Sequence, residues 1–248
     1  VRVVAVRGTV SGMPDAIFAN PLLAAVYDAF DEGRQDLDAY LRIADEIGAR
    51  RVLDVGCGTG TFAVLLAATG RDVTGVDPAG ASLDLARAKS STVTWGMSIP
   101  PGGQFDLATM TGNVAQVFLT DDEWTGVLTN IHAALTGNGS LVFESRRPSA
   151  RAWEQWAVDT GPVIREVPGI GVVERRRVVT EVALPLVSFR YTFLIDGQVL
   201  HSDSTLRFRD RDELETSLTA NGFTTTAVRE APDRPTQEFV FQTQKSTP

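Results

Sequence analysis

At 248 residues, with 43% hydrophobic side chains, 22 glycines and 12 prolines, the chain can bury the core of one domain, or of one domain with an appendage. A net charge of −8 provides no broad basic surface, which argues against a nonspecific grip on nucleic acid and for a small-molecule partner. The single cysteine excludes an intramolecular disulfide, and no apolar run is long enough to span a bilayer, so the expected setting is cytoplasmic.

In chain order, Val1 to Val10 alternates loosely, as a short strand or an arm would. Asn20 to Phe30, NPLLAAVYDAF, is apolar with helical character. Leu37, Tyr40, Leu41, Ala44 and Ile47 recur at helical spacing, and Gly48 follows as a stop. The organising stretch comes next, RVLDVGCGTGTFAVLLAATGRDVTGVDP from Arg51 to Pro78. Val52, Leu53 and Val55 form a short β-branched and apolar run of the buried-strand type. Gly56, Gly58 and Gly60 then punctuate a turn, Thr61 to Thr69 is helix-compatible, and Val73 to Val76 makes a second strand ending on Asp77. Strand, glycine loop, helix, strand and acid make half of a doubly wound sheet with its ligand site at the strand ends.

Glycines lack a Cβ, so the loop can turn tightly and lie close to a bound molecule. Asp77 follows Gly56 by 21 residues, where an acid can accept hydrogen bonds from a ribose diol. Thr61 stands where a dinucleotide fingerprint would carry its last glycine, which weakens a nicotinamide-cofactor reading. No G-K-[ST] follows, so a phosphate-binding P-loop is excluded.

With Asp54 included, D-x-G-x-G-x-G followed by an acid after the next strand resembles the cofactor loop of the class I S-adenosylmethionine-dependent methyltransferases. The resemblance implies an α/β fold: a Rossmann-like seven-stranded sheet with helices on both faces, S-adenosyl-L-methionine as cofactor and a small-molecule methyl acceptor. It places Asp54 and the backbone of Gly56 and Gly58 around the methionine end, with Cys57, Gly60 and Pro78 alongside, and gives the ribose hydroxyls to Asp77. Cys57 is read as packing near the cofactor. Tyr27 either faces the sulfonium and the acceptor or anchors its helix on the core.

Ala79 to Lys89 reads as a helix and Thr92 to Trp95 as the third strand. Many relatives carry an acid just after this strand for the adenine amino group. Here Gly96-Met97-Ser98 stands instead, so Met97 would pack on the adenine face and Ser98 meet its polar edge. Gln104 to Thr109 is the fourth strand, and Thr111, Gly112 and Asn113 fall where the resemblance puts cofactor and acceptor contacts together. Asn113 either reaches the acceptor or caps a turn. Thr120 and Glu123 have capping-box spacing before an apolar stripe of Trp124, Val127, Leu128, Ile131 and Leu135, with His132 off the stripe. Gly137 and Gly139 flank a turn before the fifth strand, Ser140 to Glu144. Arg146 at its end either neutralises an acidic acceptor group or pairs with a neighbouring acid. Trp153 and Trp156 suit packing or the wall of an acceptor pocket.

From Val172 to Phe208 the pattern changes to long period-two runs with a turn at Asp196-Gly197, an antiparallel layer inserted over the rim or at a subunit contact. Such a layer resembles the acceptor-side sheet of small-molecule N-methyltransferases. Arg175, Arg176 and Arg177 cannot all face one way on a strand. Arg190, Tyr191 and His201 are candidate acceptor contacts or cross-strand pairs. Asp210 and Glu213 repeat the capping-box spacing, and Phe223 to Arg229 with Glu238 to Gln242 read as a closing hairpin whose last strand is antiparallel. The expected division is 1–35 as a segment covering the cofactor site, 36–160 as the cofactor core, 161–209 as the insertion and 210–248 as the closing elements. The added strands suggest a homodimer.

Tyr27, Glu144 and His201 are the candidates for a proton acceptor, and no histidine–acid set has metal-ligand spacing. Two other classes compete with methyl transfer: a nucleotide-binding oxidoreductase, and a noncatalytic protein that retains the fold and binds the cofactor without turnover.

Overall fold

A computed structural model describes residues 13–31 and 33–246, so the alternating stretch Val1 to Val10 lies outside the described residues. The chain runs α1 (Ala16–Ala19), α2 (Pro21–Tyr27), α3 (Leu37–Ile47), β1 (Arg51–Val55), α4 (Thr61–Ala68), β2 (Asp72–Val76), α5 (Gly80–Lys89) and β3 (Thr94–Gly96). It continues through β4 (Phe105–Met110), α6 (Asp121–Ala134), β5 (Leu135–Arg146), α7 (Ala152–Val158), β6 (Val163–Val167), β7 (Gly171–Ala183), β8 (Leu186–Ile195) and β9 (Gln198–Arg207). Helix α8 (Arg211–Ala220) and strands β10 (Phe223–Glu230) and β11 (Glu238–Lys245) close it.

Seven strands form one sheet in the order β10-β11-β5-β4-β1-β2-β3. The β1–β5 pairings are parallel, whereas β11 pairs antiparallel with both β5 and β10, as expected of the closing hairpin. Strand alternation sends side chains to two covered faces. On one, Leu53, Phe105, Phe143 and Phe241 pack with Trp124, Leu128 and Ile131 of α6 and Leu214 of α8. On the other, Val52, Leu107, Val142 and Val240 meet Tyr40 and Ile43 of α3 and Phe62 and Leu66 of α4. Phe143 and Phe241 stack at 5.1 Å across β5 and β11, and each such buried aromatic contributes roughly 1.5–3 kcal/mol.

Local chemistry sets the boundaries. Asn20 caps α2, its side-chain oxygen accepting from the N–H groups of Leu22 and Leu23, and Pro21 occupies the first turn. The Thr120–Glu123 capping box is complete. Only half of the second one forms: Asp210 accepts from the Glu213 N–H, while the Glu213 carboxylate turns to Arg207 at 2.7 Å. The turn expected around Gly137 and Gly139 is a bulge inside β5, because Leu135 pairs with Phe105 and the next partner, Ser140, pairs with Leu107.

The inserted layer is a separate antiparallel sheet in the order β6-β7-β8-β9. Its first strand escaped the period-two reading because only Val167 of its five residues is buried. One face lies against the N-terminal helices and α7, through Ile17, Leu23 and Val26 with Phe193 and Ile195, and through Trp153 and Trp156 with Phe189 and Phe208. The opposite face is exposed and carries Val178, Leu194 and Val199. None of the described helices is long and apolar enough to cross a membrane.

Candidate functional site

The glycine loop leaves β1 at its carboxyl end and is tied to β2 by the Gly56 and Cys57 N–H groups, which both donate to the Val76 carbonyl, at 2.8 and 3.1 Å. Gly58 is left-handed, and nothing lies within 4 Å of where its Cβ would stand, so the loop offers bare backbone to open space there. At Gly60 both conformation and space require glycine: φ is +83°, and a Cβ would lie 2.5 Å from the Trp95 ring and 2.9 Å from Ala86. Gly60→Ala is therefore expected to lower stability by at least about 2 kcal/mol, read as a fall in Tm.

Asp54 sits beneath this loop, only 2% exposed. Thr109 donates to its Oδ1 at 2.8 Å, and its second oxygen takes no hydrogen bond from a described residue. Burial pushes the carboxyl up to about 7; Asp77 adds to this, and the Thr109 hydroxyl and the Arg34 guanidinium oppose it. Cys57 is half-buried, and its thiol is driven upward by burial and then by Asp54 and Asp77, so it stays protonated and packs.

Asp77 receives one backbone donor on each oxygen, Gly58 N–H at 2.9 Å and Ala79 N–H at 2.8 Å. The carboxylate is thus fixed across the mouth of the loop, with lone pairs left over on both oxygens. Pro78 follows it into the connection to α5. The Asp77 N–H donates to the Gly96 carbonyl at 3.1 Å, which brings the end of β3 alongside. Met97 and Ser98 extend from that end, and Met97 is 60% exposed, an apolar platform at the rim.

The N-terminal segment is latched onto the loop by a network not foreseen in the sequence. Asp28 accepts from Thr59 Oγ1 at 2.5 Å and pairs with Lys89 Nζ at 2.6 Å, and the same ammonium donates to Thr59 and Thr61. Tyr27 next to it packs against Phe18, and its phenol is held well above its ordinary range by burial and then by Asp31. It remains a neutral donor. Arg34 forks onto buried Asp36 and reaches Asp31 at 2.7 Å, while lying close enough to Asp54 to affect its ionisation.

On the far side of the rim Glu144 is buried and accepts from three donors. Its Oε1 accepts from the N–H groups of Gly112 at 2.6 Å and Asn113 at 3.0 Å, and its Oε2 accepts from the Tyr40 hydroxyl. The carboxylate anchors the turn after Thr111 and is only 1% exposed, so burial keeps its remaining lone pair from solvent. Asn113, left-handed and buried, donates to Glu238 at 3.1 Å and leaves Oδ1 buried without a partner. Arg146 donates to Gln116 at 3.0 Å, stands 3.4 Å from Glu238 and lies over the Trp156 ring.

The inserted sheet divides the remaining candidates by face. Tyr191 points inward between Phe189 and Phe193, with Arg175 over its ring. Arg190 and His201 point outward: Arg190 is paired with Asp203 at 2.6 Å, and the exposed His201 meets Thr192 at 3.1 Å. Neither reaches the rim, because their neighbours in sequence occupy the inward positions of β8 and β9. Trp153 is buried edge-on against Phe208 at 4.9 Å, and Trp156, three residues on, is the indole that meets the arginines. Off the stripe, His132 packs edge-on against Phe223, where burial lowers its pKa.

A family profile described as a methyltransferase domain matches residues 27–228. A putative methyltransferase from Geobacillus sp. (strain WCH70) is 36% identical over 105 residues, 39% of this chain and 42% of that protein. The magnesium-protoporphyrin O-methyltransferase of Rhodobacter capsulatus is 36% identical over 98 residues, 36% of this chain and 44% of that protein. The chain thus spans less than half the length of either curated relative. Among solved structures, S-adenosylmethionine-bound CalS10, an amino pentose methyltransferase from Micromonospora echinaspora, superposes with a TM-score of 0.71 at 24% identity, covering 89% of this chain and 97% of that one. At that identity the likeness concerns the fold.

Proposed function

The chain belongs to the methyltransferase-domain family, and we propose that it transfers the methyl group of S-adenosylmethionine to a nucleophilic nitrogen or oxygen of a small molecule. The observation that carries this reading is the juxtaposition of Asp54, the open backbone at Gly58 and the Gly58-bound carboxylate of Asp77. These groups fit an aminoacyl-nucleoside cofactor. A buried carboxylate with an unused oxygen suits an ammonium group, and a rigidly held carboxylate suits a vicinal diol. Arg34 would meet the carboxylate of the methionine tail, and Met97 the adenine face.

The sulfonium supplies its own leaving group, so the protein's part is to align the acceptor lone pair with the methyl carbon. A base is needed only where the acceptor retains its proton. Tyr27 is held protonated, Glu144 is buried and already accepts from three donors, and His201 lies on the outer face. This favours a neutral amine, which attacks through its lone pair and sheds the proton to solvent afterwards, over a hydroxyl that must first be deprotonated. The name of the amino pentose enzyme supports the same choice, and that of the protoporphyrin O-methyltransferase supports the other.

The test is calorimetric titration of the full chain with S-adenosylhomocysteine, followed by labelled-methyl transfer to panels of small amines and hydroxy compounds. Saturable binding and transfer to an amine are expected. No binding of cofactor or product would end the reading; transfer to hydroxyls alone would overturn the preference for nitrogen.

A further inference from the structure

Three guanidinium groups gather on the acceptor side of the rim. Arg146 stands at the end of β5. Arg175 and Arg177, two residues apart on β7, share its inward face, while Arg176 between them points out and pairs with Glu174 at 2.6 Å. The Cζ atoms of Arg146 and Arg177 lie 5.2 and 5.1 Å from the Trp156 ring centroid, and that of Arg175 lies 4.9 Å from Tyr191 and 4.6 Å from Phe30.

Carboxylates do not balance this group. The nearest to Arg146 is Glu238 at 3.4 Å, which Arg234 holds more closely at 2.9 Å. Neither Arg175 nor Arg177 makes a hydrogen bond or ion pair to a described residue, and Arg177 Nε is buried without a partner. The outward arginines of the same sheet, Arg176 and Arg190, are both paired. Charged groups partly withdrawn from water without a bonded counter-ion are costly: burial and then the neighbouring Arg177 depress the affinity of Arg175 for its proton, and Asp31, the carboxylate that opposes this, is itself paired with Arg34 at 2.7 Å. An anionic ligand would relieve that cost. Tyr191 joins the wall to Tyr27, next to the latch on the cofactor loop, so such a ligand would lie beside the place where methyl transfer is proposed.

We propose that Arg146, Arg175 and Arg177 bind an oxyanion, carboxylate or phosphate, carried by the methyl acceptor, so that the substrate is an anionic small molecule. The word acceptor rests on the methyltransferase reading; the oxyanion subsite does not. Arginine is the residue suited to it, because its planar fork matches both groups in two-point contact.

The experiment uses the full chain saturated with S-adenosylhomocysteine and titrated with inorganic pyrophosphate, with benzoate and with neutral benzamide, followed by tryptophan emission and calorimetry. One of the two anions is expected to saturate while benzamide does not, and which one it is separates a phosphate from a carboxylate. Arg175→Gln and Arg177→Gln should each weaken that anion at least about tenfold, and the outer-face Arg190→Gln should leave it unchanged. If Arg177→Gln does not fold, Arg177→Lys keeps the charge but not the fork and should still lose several-fold in affinity. Saturation by neither anion, full affinity in the inner-face variants, or an equal loss in Arg190→Gln would each overturn the proposal. Failure of S-adenosylhomocysteine itself to bind would overturn the methyltransferase reading instead, and the anion titration of the unliganded chain would still report on the arginines.

Discussion

Lowering the pH from 8 to 6 is expected to weaken S-adenosylhomocysteine binding about tenfold, and Asp54→Asn is expected to flatten that dependence. The unliganded carboxyl ionises only near pH 7 because it is buried. A cationic ammonium group prefers the ionised form, so binding below that pH must first expel a proton. The sign follows: affinity climbs with pH up to about 7, by about a factor of ten per unit in the fully protonated range, and is level above it. At pH 8 the amide variant should bind about 10–100-fold more weakly, the loss of a charge-assisted hydrogen bond. Calorimetry across the range in buffers of different ionisation enthalpy would also count the proton released. An unchanged affinity between pH 8 and 6 in the wild type would show that this carboxyl does not face the ligand's ammonium.

What was legible in the sequence was what depends on near neighbours. The loop glycines, Asp54 and Asp77 act through a strand–turn–helix–strand unit whose spacing is itself the signal. The role of Glu144 was not legible, because its partners Gly112 and Tyr40 lie 32 and 104 residues away. Nothing near Glu144 distinguishes an acid at a strand end that anchors a turn from one that faces a substrate. Strand alternation shows that Arg175 and Arg177 share a face, but which face is inward depends on how the sheet docks on the N-terminal helices. The same holds for His201, set between Leu200 and the buried Ser202. Trp153 and Trp156 share one side of a short helix and are both buried, and only the positions of Arg146 and Arg177 show which of them meets the arginines. Lys89 reads as an ordinary basic residue in the last turn of a helix, yet it carries the latch to Asp28.

Glu144→Ala is expected to cost about 3–5 kcal/mol, which in a chain of this size lowers Tm by about 10 °C. The carboxylate is 1% exposed and satisfies three donors, the N–H groups of Gly112 and Asn113 in a left-handed turn and the Tyr40 hydroxyl, of which Asn113 and Tyr40 are buried. Removing it leaves the Asn113 N–H and the Tyr40 hydroxyl unpaired in the interior, and the backbone N–H groups of Gly112 and Asn113 lose the one side chain that holds them among the described residues. Glu144→Gln separates anchoring from proton transfer. Its carbonyl can still accept from both N–H groups, and its amide can donate to the Tyr40 oxygen, so the cost falls to about 1 kcal/mol. If Glu144 is an anchor, this variant keeps most of its methyl-transfer rate and the shape of its pH profile. If Glu144 removes the acceptor's proton, the variant folds but loses about 100-fold or more in kcat while still binding S-adenosylhomocysteine. The second result would return Glu144 to catalysis and remove the main reason for preferring a neutral amine over a hydroxyl. Melting temperature and kcat measured on one preparation of the variant decide between the two.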